Sequence, residues 1–121
     1  MPDLDAPIYP NIPESEGCAL HVTIYIDPNN VKAFFEAYRP VYDGCVSEKE
    51  CTFFSVYQNP ENPGQISWIE HSTKNPEWLF KNQFTKEYYR EYFKVTEAMF
   101  VKPREIKWFK RVEGYTTVKE E

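Results

Sequence analysis

The chain has few of the residues that build metal centres or disulfide frameworks. Its 121 residues include only three cysteines and two histidines, and no Cys-x-x-Cys pair occurs. An odd number of dispersed cysteines is untypical of a disulfide framework, and zinc sites need a recognisable set of Cys and His ligands. The sequence therefore predicts neither a metal site nor a fold held by disulfides.

Glycine is also scarce, which argues against a loop that binds a phosphate-containing cofactor. The four glycines, Gly17, Gly44, Gly64 and Gly114, are isolated from one another. A loop that cradles phosphate or a dinucleotide needs several glycines at close spacing. We therefore predict no cofactor, so any chemistry must come from the substrate and a few side chains.

An excess of cations and long apolar runs are missing as well. Fourteen Lys and Arg stand against 19 Asp and Glu, which gives a net charge of −5 and argues against a nucleic-acid partner. The apolar runs are all well short of the ~20 residues that cross a bilayer, which argues against a membrane partner. The acidic, proline-rich start differs from a signal peptide, so we expect a cytoplasmic protein.

What the chain does contain is alternation and many aromatic residues. We predict a flexible proline-rich arm over residues 1–17, one domain over residues 18–116 and a polar tail over residues 117–121. The pattern ALHVTIYID alternates with the period of a strand, and CTFFSVYQ and QISWIEHS form a hairpin around the turn NPENPG. The last strand is predicted within REIKWFKRVEGY.

Two helical regions lie between these strands. Apolar residues recur at helical spacing over 31–42, where Pro40 predicts a kink or an end near Tyr38. Asn75 and Pro76 are typical of a helix start, Thr85 is a candidate cap for a further helix, and Pro103 is expected to end it.

The resulting order is β-α-β-β-α-β, an α+β fold of the ferredoxin-like type. Right-handed crossovers predict a four-stranded antiparallel sheet in the order 4-1-3-2, with both helices on one face. Large apolar residues occur on both faces of the strands, and wide apolar patches are rare on monomers. We therefore expect a second copy of the chain to cover the free face as a homodimer.

Residues 19–115 resemble the antibiotic biosynthesis monooxygenase family of the dimeric α+β barrel superfamily. The residues at the family's motif positions are Glu48, Cys51, Glu70, Asn82, Thr85, Glu87 and Tyr88. Glu48 and Cys51 begin and end the step into the second strand, and Glu70 is the acid near the end of the third. Asn82 and Glu87 stand where the family carries histidines.

The resemblance implies a sheet-to-sheet homodimer with a pocket between sheet and helices. It also implies oxygenation of phenols, anthrones or quinols without metal or flavin. Superfamily relatives degrade haem, or catalyse cyclisation or dehydration. Because none of the predicted helices contains a histidine, ligation of haem iron by a helical histidine is not expected.

Three residues are candidates for a catalytic base: His71, Glu70 and His21. An imidazole has an ordinary pKa of about 6.5, and a buried carboxyl has a raised pKa, so either type can accept a proton near neutral pH. Glu70 and His71 are adjacent on one strand, so only one of them faces the pocket. Each has a structural alternative: a histidine satisfied on a sheet face, or a carboxylate paired with a cation.

A second set of side chains is predicted to bind an aromatic substrate. Its members are aromatic or amide side chains, several of which serve equally well as core: Trp68, Trp78, Asn82, Tyr25, Tyr57, Tyr88, Tyr89 and Tyr92. Gln83 lies beside Asn82 on the short helix that would cover the pocket. The excess of Tyr over Leu favours a role beyond packing, because buried hydroxyls need partners.

The leading hypothesis is a cofactor-free monooxygenase acting on an aromatic or polyketide-type small molecule. A cofactor-free cyclase, dehydratase or decarboxylase would use the same pocket and the same acid–base groups. A non-catalytic, stress-related dimer that binds small molecules is the third hypothesis.

Overall fold

Four strands and three helices alternate along the chain in a computed structural model that describes residues 9–119. They are β1 (Cys18–Ile26), α1 (Val31–Ser47), β2 (Cys51–Asn59), β3 (Asn62–Ser72), α2 (Pro76–Trp78, continued by a π-helical turn over Leu79–Gln83), α3 (Glu87–Thr96) and β4 (Phe100–Phe109). The strands form one antiparallel sheet in the order β2-β3-β1-β4. This is the predicted order 4-1-3-2, so the ferredoxin-like fold is confirmed.

The central strand β1 shows why the pattern predicted the fold well. Leu20, Val22 and Ile24 are buried beneath the helices, whereas His21 and Thr23 are half-buried on the other face. Successive side chains of a strand point to opposite faces, so strict alternation separates the two sets. The face of the sheet that packs on the helices is called the inner face below, and the opposite one the outer face.

The hairpin between β2 and β3 is tighter than expected. The predicted six-residue turn shrinks to Pro60 and Glu61, because β3 already begins at Asn62. Proline is tolerated at the start of a strand, where Pro63 lies. Glycine is required at position 64 because the backbone of Ile26 approaches it closely. A Cβ at Gly64 would stand 1.9 Å from the Ile26 carbonyl oxygen.

The helix starts and ends predicted from Pro40, Asn75 and Thr85 differ in their outcome. α1 continues through Pro40, so an end near Tyr38 is wrong. Asn75 caps α2 as predicted, since its side chain accepts a hydrogen bond from the Trp78 amide at 3.0 Å. Thr85 does not act as a cap; its hydroxyl donates to the carbonyl of Lys81.

The predicted end of the third helix at Pro103 is also wrong. α3 ends at Thr96 and β4 begins at Phe100, so Pro103 lies inside a strand. β4 is at the edge of the sheet, where a proline need not break a ladder of hydrogen bonds. The pairing with β1 is irregular next to this position, between Thr23 and Ile26.

Aromatic rings fill the layer between helices and sheet. Tyr38 of α1 packs on Trp68 of β3, with ring centroids 4.7 Å apart, and on Tyr92 of α3 at 5.6 Å. Phe34 stacks on Tyr38 at 5.4 Å. These contacts join α1, α3 and β3, so much of the predicted aromatic core is one cluster.

The described part of the N-terminal arm lies against the domain. The Tyr9 ring stacks on Phe80 at 5.0 Å, Ile12 is buried, and the Asn75 amide donates to the Ile12 carbonyl at 2.9 Å. Residues 1–8 of the arm and residues 120–121 of the tail lie outside the described residues. After β4, residues 110–119 continue without a helix or strand and expose Tyr115 and Val118.

Candidate active site

Glu70 and His71 lie on opposite faces of the sheet, as the alternation of β3 requires. Glu70 is fully buried on the inner face, whereas His71 is half-buried on the outer face. Helices α1, α2 and α3 cover the inner face. Glu70 is therefore the candidate base that lies in the enclosed space between helices and sheet.

The Glu70 carboxyl is held by one hydrogen bond in an apolar environment. The Gln83 amide donates to its Oε2 at 3.0 Å, while its Oε1 has no hydrogen-bond partner among residues 9–119. Burial raises the pKa of Glu70 to about 7, and the bond from Gln83 opposes the shift in part. A group with this pKa both accepts and returns a proton near neutral pH.

Gln83 also connects Glu70 to a short chain of buried polar side chains. Its amide nitrogen lies 3.4 Å from the Cys45 sulfur, which lies 3.6 Å from the Tyr89 hydroxyl. Burial, together with the nearby Glu70 carboxyl, raises the pKa of the Cys45 thiol. Cys45 therefore stays protonated and serves the network as a neutral partner rather than as a nucleophile.

A cavity of about 30 Å³ lies between β1, β4 and α3. Its walls are mainly aromatic and include Trp68, Phe84, Tyr89, Tyr92, Phe93 and Trp108. This volume suits one or two water molecules, so an aromatic ligand would need side chains to move apart. Three predicted substrate-binding residues, Trp68, Tyr89 and Tyr92, do lie together here.

Arg104 also lines this cavity, and the sequence reasoning did not single it out. Its side chain is 4% exposed and forms an ion pair with Glu97 at 2.8 Å. The guanidinium stacks over the rings of Phe93 and Phe100, at 5.0 and 4.9 Å. The alternation of β4 could have indicated that Arg104 faces inward, because it lies two and four residues before the inward-facing Ile106 and Trp108.

Both histidines lie on the outer face, away from Glu70 and the cavity. His21 packs against Phe109 at 4.5 Å and His71 against Phe53 at 4.8 Å. Burial lowers the pKa of each, and the neighbouring cations Lys107 and Arg111 lower them further.

Two of the predicted substrate-binding tyrosines share this outer face. Tyr25 donates a hydrogen bond to Glu105 at 3.1 Å and lies under the Lys102 ammonium, and Tyr57 is 47% exposed. The structure thus separates His21, His71, Tyr25 and Tyr57 from the enclosed space. Alternation explains the separation, since all four occupy outward positions of their strands.

Three further predicted residues are also outside the cavity. Asn82 is exposed and donates to the Trp78 carbonyl at 3.0 Å, while Trp78 packs under Lys74. Tyr88 donates to Glu48 at 3.2 Å. The residue that turns inward is Gln83, which follows the buried Pro76 and Leu79 at helical spacing.

Within residues 9–119, there is no group of three or more His, Cys, Asp or Glu side chains that could hold a metal ion. Over that same range, the helices are all too short or too polar to cross a bilayer.

Comparison with known proteins supports the resemblance. No family model matches the chain. It is 29% identical over 96 residues to a Pestalotiopsis microspora protein described as a "putative monooxygenase", across 79% of this chain and 80% of that protein.

Solved structures share the fold. A "putative antibiotic biosynthesis monooxygenase" from Nitrosomonas europaea superposes with a TM-score of 0.74 at 14% identity, over 86% of this chain and 97% of its own. A conserved protein from Methanosarcina mazei Go1 gives 0.71 at 18% identity, over 81% and 95%. At these identities the solved structures confirm the fold that the resemblance implies.

Proposed function

We propose that this chain, which resembles the antibiotic biosynthesis monooxygenase family in sequence and fold, is a cofactor-free monooxygenase of electron-rich aromatic small molecules such as quinols, anthrones or phenols. The observation that carries the proposal is Glu70, a fully buried carboxyl with a pKa of about 7, one of whose oxygens has no hydrogen-bond partner among residues 9–119. Titratable groups perturbed by burial inside an aromatic interior are typical of catalytic sites. Glu70 is the proposed general base.

The proposed reaction needs one base and a site that excludes water. The Glu70 carboxylate takes a proton from the substrate, and the resulting carbanion or phenolate transfers one electron to O₂. The radical and superoxide combine to form a carbon–oxygen bond, and the Glu70 carboxyl returns its proton to the resulting peroxide. For a benzylic CH₂ group, the peroxide then loses water as its O–O bond and the second C–H bond break. CH₂ and O₂ thus become C=O and H₂O, and Glu70 regains its free form.

Arg104 is the proposed partner for the negative charge that forms on the substrate. Its guanidinium is nearly buried at the cavity wall, where water screens charge poorly, so its attraction for an anion is stronger than at the surface. The aromatic walls match a planar substrate by stacking. Gln83 is proposed to keep Glu70 oriented through Oε2, which leaves Oε1 for the substrate proton.

We propose a sheet-to-sheet homodimer for the outer face. Phe109 and Tyr57 there are 45% and 47% exposed, and the chain after β4 exposes Tyr115 to 86%. Burying such groups against a second copy removes apolar surface from water. In this arrangement His21 and His71 lie at the interface, and they are no longer favoured as catalytic residues.

The test is oxygen uptake by the metal-stripped protein with a panel of quinols, anthrones and hydroxynaphthalenes. We expect uptake above the rate without protein, and a Glu70→Gln variant slower by about 100-fold or more, the usual contribution of a general base. Glu91→Gln removes an exposed carboxylate on α3 and should not change the rate. His71→Ala should retain activity.

The outcome also discriminates between the classes of function. Conversion of a substrate at an equal rate under nitrogen would favour a cyclase, dehydratase or decarboxylase that uses the same Glu70. Binding without conversion would favour a small-molecule-binding dimer. Full oxygen uptake by Glu70→Gln would refute the role of this residue.

A further inference from the structure

A second and much larger space lies on the other side of α1. A groove of about 460 Å³ opens between α1 and the edge strand β2. Its walls are Phe35, Tyr38 and Tyr42 from the helix, and Phe54 and Val56 from the strand. An open groove with four aromatic rings presents the surfaces that a planar aromatic molecule needs.

Tyr38, which lines this groove, has a buried hydroxyl without a hydrogen-bond partner among residues 9–119. Its side chain is only 2% exposed, and its hydroxyl makes no hydrogen bond within the described part of the chain. The ring is fixed between Phe34 and Trp68, so the hydroxyl cannot readily turn to water. A buried hydroxyl without a partner is costly, and a ligand oxygen that accepts from it removes the cost.

The groove is next to the proposed base. In the β2–β3 ladder, Phe54 lies directly opposite Glu70, and Val56 lies opposite Trp68. Glu70 is close enough to Tyr38 that its charge, after burial and Tyr92, helps to raise the pKa of the Tyr38 hydroxyl. The Oε1 of Glu70 and the Tyr38 hydroxyl therefore lie in one interior region, and neither has a hydrogen-bond partner in the described part of the chain.

A cationic side chain also lines the groove. Arg39 lines it, stacks over the Tyr42 ring at 5.1 Å and forms an ion pair with Asp43 at 2.9 Å. Both members of that pair are largely exposed, and exposed ion pairs are weak. An acidic group in the groove can therefore recruit the Arg39 guanidinium, which suits a planar carboxylate.

We propose that this groove is the entrance through which planar aromatic acids reach the site of Glu70 and Arg104, and that it binds their acidic end. A ring oxygen of the ligand accepts a hydrogen bond from Tyr38, and a carboxylate pairs with Arg39 at the mouth. The inference rests on the proposed function in taking Glu70 as the group toward which the ligand points. It names a substrate class narrower than phenols in general: hydroxylated aromatic carboxylic acids.

The test measures binding by calorimetry under nitrogen, so that turnover plays no part. The probes are 6-hydroxy-2-naphthoic acid, whose hydroxyl and carboxylate lie at opposite ends of the ring system, and 2-naphthol, which lacks only the carboxylate. Tyr38→Phe should weaken both about tenfold, the effect of one lost hydrogen bond. Arg39→Gln should weaken only the acid, by roughly threefold to tenfold at low salt. Arg90→Gln, which alters an exposed, ion-paired arginine on α3, is the matched control and should change neither.

A structural role for Tyr38 gives a different result. Because its hydroxyl has no partner within residues 9–119, Tyr38→Phe should unfold at the same temperature as the wild type or higher. A lower unfolding temperature with unchanged affinities would overturn the proposal, as would the absence of binding of either probe to the wild type at millimolar concentration.

The two proposals fail separately. Binding as expected without oxygen uptake would contradict only the monooxygenase activity. Uptake that depends on Glu70, with affinities that do not change in the Tyr38 and Arg39 variants, would contradict only the groove.

Discussion

Replacing Glu70 by Gln is expected to change how the free energy of unfolding depends on pH. In the unfolded chain this carboxyl has its ordinary pKa of 4.5, and in the folded chain burial raises the pKa to about 7. The folded state therefore binds more protons between these two values. Its stability is fully present below pH 4.5, falls as the pH rises through this window, and levels off above pH 7.

The size of the effect follows from the shift in pKa. A difference of about 2.5 units corresponds to ~3 kcal/mol of unfolding free energy, at about 1.4 kcal/mol for each unit. The Gln side chain cannot ionise, so the variant does not lose this stability. Relative to the wild type it should gain ~3 kcal/mol between pH 4.5 and pH 8, which is roughly 10–20 °C in the unfolding temperature of a domain of this size.

The assay is urea unfolding of both proteins at half-unit steps of pH across that range. All other titrating groups are shared, so the difference between the two curves isolates Glu70. Glu91→Gln, an exposed carboxylate on α3, is the control and should follow the wild type at every pH. Parallel curves for Glu70→Gln and the wild type would refute the buried, raised-pKa carboxyl and remove the main support for its catalytic role.

Two further predictions concern the packing of α1 and the outer face. A Cβ at Gly44 would stand 2.5 Å from the Tyr88 ring, so Gly44→Ala should lower the free energy of unfolding in urea by ~1–3 kcal/mol. The loss should be smaller in a Tyr88→Ala background, and equal losses in both backgrounds would show that the clash is not the cause. Burial and neighbouring cations lower the pKa of His21 and His71, so these rings are neutral at pH 7.5 and gain charge only at a pH below their ordinary pKa of 6.5. Sedimentation should therefore show the proposed dimer weakening about tenfold or more as the pH is lowered through that depressed pKa, and a His21→Gln, His71→Gln double variant that dissociates equally would contradict this.

Much of the fold could be predicted because its signals lie within short stretches of consecutive residues. The alternation of β1 and the Asn75-Pro76 helix start are each contained in a few positions, and both were confirmed. The errors fell where tertiary context outweighs a local preference. Pro103 breaks a helix on its own, but at the sheet edge formed by β4 it is tolerated inside a strand.

The candidate site was less predictable, because its contacts join distant parts of the chain. Gln83 meets Glu70 across 13 positions and Cys45 across 38. The helical repeat places Gln83 on the buried face with Pro76 and Leu79, but it does not show that this face meets Glu70 and Cys45. The two-residue repeat of a strand could have predicted that Arg104 faces inward, because it places Arg104 on the same face as Ile106 and Trp108.

From the residues alone it follows that Glu70 and His71 point to opposite faces, because the pleat of a strand allows nothing else. Which of those faces is enclosed could not be read from the same pattern, since both carry large apolar side chains. That depends on the side to which the crossovers carry the helices, and on how their aromatic residues pack. Burial under those helices, rather than any local motif, is what gives Glu70 a pKa near neutrality.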